Sequence, residues 1–196
     1  MPCAKTVASM QRDLVERAKT GDLDAFAQLA KASAPRLKGV ANLILRDVDR
    51  AEDALQDALL LAWRDVRALR DPDAWDAWLR RLTVRACYKA AGKERRRSKV
   101  ELHVAPDPEM AKTHDSAADV AEREWVLSEL GRLDIDRRAV LVLHYYLDLP
   151  LSEVADILDI PFGTASSRLN RGLEALRASM STAPASISGV VPERPS

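Results

Sequence analysis

Between Thr164 and Arg177 the chain sets short hydroxyls, an amide and guanidinium groups at helical spacing: Ser166, Ser167, Arg168, Asn170 and Arg171. What such groups can do is hydrogen-bond base edges in a major groove, where arginine is the usual reader of guanine. At about 100° per residue, Ala165, Leu169, Gly172, Leu173 and Leu176 cluster on one side. That side must be buried. Ser167, Asn170, Arg171 and Glu174 cluster opposite, with Ser166 and Arg168 on the flanks. Arg168 and Arg177 then suit phosphates. A solvated polar face on a helical hairpin would carry the same pattern.

The elements that would position this face are short. Leu151–Leu158 reads as an amphipathic helix that Ser152 or a near neighbour can cap. Asp159-Ile-Pro-Phe-Gly163 forces a turn, and Thr164 is a good N-cap for the next helix. Ala155 is small enough to let the two helices cross closely. This is helix-turn-helix grammar.

A second candidate surface lies upstream. From Leu79 to Lys99 the chain carries Arg80, Arg81, Arg85, Lys89, Lys93, Arg95, Arg96, Arg97 and Lys99 against Glu94. On a wheel Trp75, Leu79, Leu82, Ala86 and Ala90 form the core side, and Trp78, Arg81, Arg85 and Tyr88 an adjacent stripe. Aromatic rings interleaved with arginines suit nucleic acid, because bases stack on rings while guanidinium groups hold phosphates. A solvated charged face over a tryptophan-containing core is the alternative.

The third surface is acidic. Within Arg50–Leu69, Ala51, Leu55, Ala58, Ala62 and Val66 point inward, while Asp53, Gln56, Asp57 and Leu60 share the opposite side. An exposed leucine beside two carboxylates and an amide would suit docking against a basic helical partner, although a solvated face is the plainer reading.

Bulk properties bound the class. The 196 residues hold thirty basic and thirty acidic side chains, so charge is balanced overall and any nucleic-acid signal comes from its placement. Two cysteines, Cys3 and Cys87, lie far apart without ligand-spaced neighbours, which fits a reducing cytoplasm. No apolar run approaches the roughly 18 residues of a membrane span, so no membrane contact of its own is expected. His103, His114 and His144 are not paired with Cys or carboxylates at ligand spacing, and no phosphate loop or nucleophile motif appears. The reading is a protein with no catalytic residues, no metal and no cofactor.

Apolar residues recur at helical spacing almost throughout, so the fold class is all-α. Two small helical domains are expected, over residues 10–97 and 117–180, joined by a flexible linker at 98–116 and followed by a disordered Pro/Ser tail at 181–196. In the first, helices are expected over Asp13–Lys19, Leu23–Leu45 with a break or kink at Pro35, Arg50–Leu69 and Ala74–Arg97, with a turn at Asp71-Pro72-Asp73. In the second they fall over Val120–Leu130, Asp136–Tyr146, Leu151–Leu158 and Thr164–Arg177.

Ala51-Glu-Asp-Ala-Leu-Gln-Asp-Ala-Leu-Leu-Leu-Ala-Trp63 resembles the polymerase-docking helix of the extracytoplasmic-function sigma factors, and Glu153–Arg177 resembles their C-terminal helix-turn-helix. The resemblance spans roughly Leu14 to Arg177, in the family's order. It implies a subunit that directs RNA polymerase core to promoters and initiates transcription, under control of an anti-sigma factor. Asp53, Gln56, Asp57 and Leu60 would then meet the clamp coiled coil of the largest polymerase subunit. Trp75, Trp78, Arg81, Arg85, Tyr88 and Lys89 would bind and help open the minus-ten element. Thr164, Ser166, Ser167, Arg168, Asn170 and Arg171 would lie in the minus-thirty-five major groove. Ser166 stands where the family often has a basic residue, and Gly172 where it often has alanine, at about 1 kcal/mol of helix propensity. A conventional helix-turn-helix repressor or activator is the rival; it would need a dimer interface or ligand pocket in the first block.

Overall fold

The computed structural model describes residues 4–97 and 117–180, and every described element is helical. The expected linker and tail lie outside the described residues. The amino-terminal module is built from α1 (Ala4–Lys19), α2 (Leu23–Leu45), α3 (Val48–Asp65) and α4 (Trp75–Arg97).

Local chemistry sets most of these boundaries. Between α1 and α2, Gly21 takes φ 100, a value open to glycine but strained for other residues. Asp22 caps α2 by accepting the Ala25 amide at 3.0 Å. That bond, with the ion pair from Arg17 at 2.8 Å, holds the Asp22 carboxyl below its usual range. Asp47 caps α3 in the same way, on the Arg50 amide. At its far end α3 tightens into a 3-10 turn over Val66–Ala68. The expected turn after it is present: Asp71 accepts the Asp73 amide, and Pro72 opens a 3-10 turn over Pro72–Ala74 that leads into α4.

Pro35 does not break its helix. The assignment of α2 is continuous from Leu23 to Leu45 with Pro35 inside it. Pro35 and Lys31 are both exposed, so water can solvate the Lys31 carbonyl that a missing amide leaves unpaired.

Trp75, Leu79, Val15 and Val66 are almost fully withdrawn from solvent in this module's core. Phe26 packs edge-on between Trp63 and Trp75, with ring centroids 5.1 and 5.8 Å away.

The carboxy-terminal module holds α5 (Ala117–Arg132), α6 (Ile135–Leu141), α7 (Leu151–Leu158) and α8 (Phe162–Met180). Asp134 caps α6 on the Arg137 amide at 2.9 Å. After Leu141 the helix widens into a π turn over Val142–Tyr146. Leu130, Leu133 and Leu141 pack against Leu169, Leu173 and Leu176 of α8. No helix among the described residues is long and apolar enough to cross a membrane.

The two modules are packed on each other. One apolar cluster runs from Val40, Ile44, Val84 and Cys87 to Val140, Leu143, Val154 and Ile157. Cys87 lies inside it, wholly buried, and burial pushes its thiol up to about 12. It is a packing residue.

Candidate nucleic-acid and partner interfaces

On the third helix, Asp53, Gln56, Asp57 and Leu60 are all exposed on the face opposite the buried Ala51, Ala54, Leu55, Ala58 and Ala62. Leu60 leaves 69% of its surface in water. Asp57 receives Lys89 of α4 at 3.4 Å, an exposed pair that contributes little stability.

The α7–α8 unit has the anticipated turn, with two differences in its capping. Asp159 takes the left-handed conformation at φ 56 and ends α7. The N-cap position of α7 is Pro150, and no side chain caps it there, so Ser152 has no such role. The next helix begins at Phe162, which puts Thr164 inside its first turn rather than at its cap; the Thr164 and Ala165 amides both bond the Pro161 carbonyl. The proline ring presets the backbone for that start.

The anticipated faces of α8 are present. Ala165 is fully buried, and Ser167, Asn170, Arg171 and Glu174 are exposed. Thr164 and Ser166 are half-buried. Ser167 donates to the Thr164 carbonyl at 3.0 Å, leaving its lone pairs outward. Arg168 is occupied: it pairs with Asp136 of α6 at 3.2 Å. Gly172 is explained by contact, since a Cβ there would stand 2.9 Å from Leu141 Cδ1. The lost helix propensity is the cost of seating α6 close to α8. Phe162, which the wheel did not single out, is 58% exposed at the helix start, where an aromatic edge can meet a thymine methyl. An exposed Phe after Pro161 was the available signal.

The basic helix divides more sharply than its wheel suggested. Arg85 and Lys89 are exposed and Trp78 is half-buried. Trp75 is wholly buried, its ring 5.7 Å from that of Trp78 and its indole donating to Ser33 Oγ at 3.4 Å. A strand cannot touch it, because it lies beneath the surface that carries Trp78. Tyr88 and Arg81 are half-buried toward the other module. Burial, then the neighbouring Asp136, push the Tyr88 phenol well above its ordinary range. Arg81 and Arg85 face Asp156 and Asp159 of the α7 end across a cleft of about 410 Å³.

Sequence reasoning missed the side chains that join the modules. Arg80 pairs with Glu153 at 2.5 Å, Arg36 donates to the Leu147 carbonyl at 3.2 Å, and Arg138 donates to the Ile44 carbonyl at 2.7 Å. Arg36 and Arg138 lie in no motif, and Arg80 and Glu153 fall within two separate stretches singled out for DNA, where nothing local signals that they pair. The accessible signal was two glycines inside helices, Gly39 and Gly131, each of which faces a side chain of the opposite module. His144 stacks edge-on against Tyr145 with centroids 4.7 Å apart, and no cluster of described residues could hold a metal ion.

Residues 29–97 match the family described as Sigma-70 region 2, and residues 123–176 match Sigma-70, region 4. The chain is 31% identical over 173 residues to the ECF RNA polymerase sigma-E factor of Haemophilus influenzae, covering 82% of this chain and 90% of that one. It is 28% identical over 178 residues to the ECF RNA polymerase sigma factor SigW of Bacillus subtilis strain 168, covering 86% and 95%. Among solved structures it is similar to the sigma factor RpoE of Bartonella quintana in complex with the anti-sigma factor NepR, with a TM-score of 0.67 at 22% identity, covering 81% of this chain and 98% of that one. It is also similar to CnrH in complex with the cytosolic domain of CnrY, with a TM-score of 0.65 at 24% identity, covering 89% and 99%.

Proposed function

The chain belongs to the ECF RNA polymerase sigma factors, and from that premise we propose how its surfaces divide the work of promoter-directed initiation. The observation that carries the division is the simultaneous exposure of two unlike faces. One is the Asp53, Gln56, Asp57 and Leu60 stripe of α3; the other is the Ser167, Asn170 and Arg171 face of α8.

In this reading residues 10–97 dock on core polymerase and hold the minus-ten element, 98–116 link the modules, 117–180 read the minus-thirty-five element, and 181–196 form a tail. The α3 stripe meets a basic helical surface on the largest polymerase subunit, with Leu60 as the apolar contact and the carboxylates fixing register. Trp78, Arg81, Arg85, Tyr88 and Lys89 hold the opened strand by stacking and phosphate pairing. On α8, Thr164, Ser166, Ser167, Asn170 and Arg171 read base edges, with Phe162 beside them. Arg168 reaches a phosphate only after it leaves Asp136. An anti-sigma factor restrains the chain; in support, the similar sigma factor RpoE of Bartonella quintana is found in complex with the anti-sigma factor NepR. The setting is the cytoplasm, where core polymerase is found.

The test is promoter-selective transcription from purified core enzyme on a mixed template pool. Selective starts that depend on this chain support the reading; a chain that binds operators yet never recruits core enzyme would favour a conventional repressor or activator.

Two substitutions separate the surfaces. Asp53→Ala with Gln56→Ala is expected to weaken core binding by about tenfold or more while helical content stays unchanged, because both side chains are exposed. A pull-down with undiminished retention refutes the role of the stripe. Arg171→Ala is expected to lose about 1–3 kcal/mol at one base position if it reads that base. A uniform loss over all sequences, with a shallower salt dependence, reassigns it to a phosphate.

A further inference from the structure

We infer that Arg46 and Arg138, where the end of α2 meets the end of α5, form a binding site for a phosphate group. The site lies apart from the α3, α4 and α8 surfaces, and it does not depend on how those surfaces are read.

Two cations share this spot without an acid between them. Arg46 ends α2 in the left-handed conformation at φ 57, and its guanidinium rests on Gly131 of α5, so closely that a Cβ there would overlap it. Arg138 of α6 reaches the same end of α5, donating to the Gly131 and Leu133 carbonyls, and to the Ile44 carbonyl of α2. Neither guanidinium is ion-paired to a carboxylate of the described residues. Asp134, the acid that acts on Arg138, is engaged elsewhere: it caps α6 and pairs with Arg137 at 3.1 Å. Each arginine also keeps one buried N–H without an acceptor, Nη1 of Arg46 and Nε of Arg138.

The helix ends do not make up the deficit. A helix carboxy terminus carries roughly half a negative charge, so α2 and α5 together offer about one against two full positive charges. Their carbonyls account for one arginine, not for two that repel. Buried charges are normally paired or bound to an ion, and orphaned donors carry the cost of their lost hydration. Burial and then the neighbouring Arg46 lower the Arg138 pKa, as expected of a cation lacking a counter-charge.

Gly131 points the same way. Its φ is not positive, so no turn requires glycine there, and alanine is the better residue in a helix. A methyl group would expel the Arg46 guanidinium. The chain accepts a weaker helix and keeps the cation seated.

Phosphate suits the pair for reasons of geometry. The guanidinium fork matches phosphate oxygens through paired N–H bonds, and Arg46 is half-buried, so its side chain can turn toward solvent to receive one. A phosphate there would accept both orphaned donors and cancel the repulsion. Free phosphate and the terminal phosphate of a nucleotide share this chemistry.

The test is thermal melting of the full chain in inorganic phosphate, in a nucleoside diphosphate, and in sodium chloride of equal ionic strength. At about ten times its half-saturating concentration, phosphate is expected to raise the parent's Tm by about 3–6 °C over chloride. The rise should saturate, unlike the general stabilisation that phosphate exerts by exclusion from protein surfaces. Arg46→Met should melt no lower than the parent in chloride, because no hydrogen bond of that side chain is lost and a like-charge contact is relieved. It should lose the saturable rise. Arg46→Lys keeps the charge without the fork and should need severalfold more phosphate. Arg85→Ala and Arg171→Ala should respond as the parent does.

A nucleoside diphosphate that acts at lower concentration than phosphate makes a nucleotide the source; one that needs as much or more makes it the free anion. A parent without a saturable rise in either overturns the site, since water alone then fills it. A rise that survives in Arg46→Met, or that Arg85→Ala abolishes, places the anion elsewhere and overturns it too. Should Arg46→Met fail to fold, Arg46→Lys decides: half-saturation unchanged from the parent counts against the site.

Discussion

Replacing Trp75 with alanine is expected to destabilise the amino-terminal module by about 3–5 kcal/mol, enough to leave much of a marginal module unfolded at growth temperature. The ring is fully buried, touches Phe26 and Trp78 edge-on or tilted, and spends its indole N–H on Ser33. Truncation removes the apolar surface, both ring contacts and a hydrogen-bond donor, and leaves a cavity at the point where α2 and α4 meet. The measurement is urea unfolding followed by circular dichroism, with Trp75→Phe alongside. Phenylalanine keeps most of the ring contacts and should unfold much closer to the parent. If Trp75→Ala unfolds at the parental midpoint yet loses promoter opening, the ring contacts DNA and its assignment to the core is wrong. Trp78→Ala is the useful contrast. Its ring is half-buried, so the loss of stability should be smaller and the loss of strand binding proportionately larger.

What could be read from residues alone was whatever repeats at helical spacing or sits in a turn. The inward row of α3 and its exposed Asp53, Gln56, Asp57 and Leu60 emerge from a wheel because one helix face decides them. The turn at Asp71-Pro72 is legible for the same local reason: a carboxylate accepts the amide two residues on, and the proline presets the backbone. Pro35 does not break α2 because the effect of a proline depends on what surrounds the orphaned carbonyl, and exposure on α2 supplies water there. Thr164 misled because Pro161 starts the helix first. Gly172 reads as a defect until Leu141 is seen against it.

The junction between modules was illegible for a different reason. Arg80 and Glu153 are 73 positions apart, and Arg36 and Leu147 are 111 apart. Neither pair leaves a periodic trace. A stripe of arginines on α4 looks like a nucleic-acid surface whether it faces solvent or the acidic end of α7, and only the fold distinguishes them. The balanced total charge of the chain had the same ambiguity at larger scale. Basic α4 and the acids of α7 and its end offset one another in sequence, and in the folded chain they also meet in space.

Arg138→Met is expected to cost about 2–4 kcal/mol and to uncouple the two modules, because a guanidinium shared among three carbonyls would be removed and partly buried acceptors left unpaired. Arg138 donates to Ile44 and Leu133 at 2.7 Å each and to Gly131 at 3.4 Å. These carbonyls stand at or near the ends of α2 and α5, the places where helices leave acceptors without partners of their own. One side chain thus ties the end of α2 to the end of α5, across the junction. Two terms oppose the loss. Burial and the nearby Arg46 together bring the Arg138 pKa down to about 10, so methionine relieves both desolvation and a like-charge contact. The carbonyl bonds should outweigh them, since hydrogen bonds to charged groups contribute about 1.5–3 kcal/mol each and methionine replaces none. Differential scanning calorimetry separates the possibilities. A single cooperative transition in the parent should split into two in the variant, with the carboxy-terminal module melting on its own. A transition that stays single and shifts by less than a degree would mean that solvent takes over the three carbonyls at no cost, and that the apolar cluster with the Arg80 and Arg36 contacts holds the modules without Arg138.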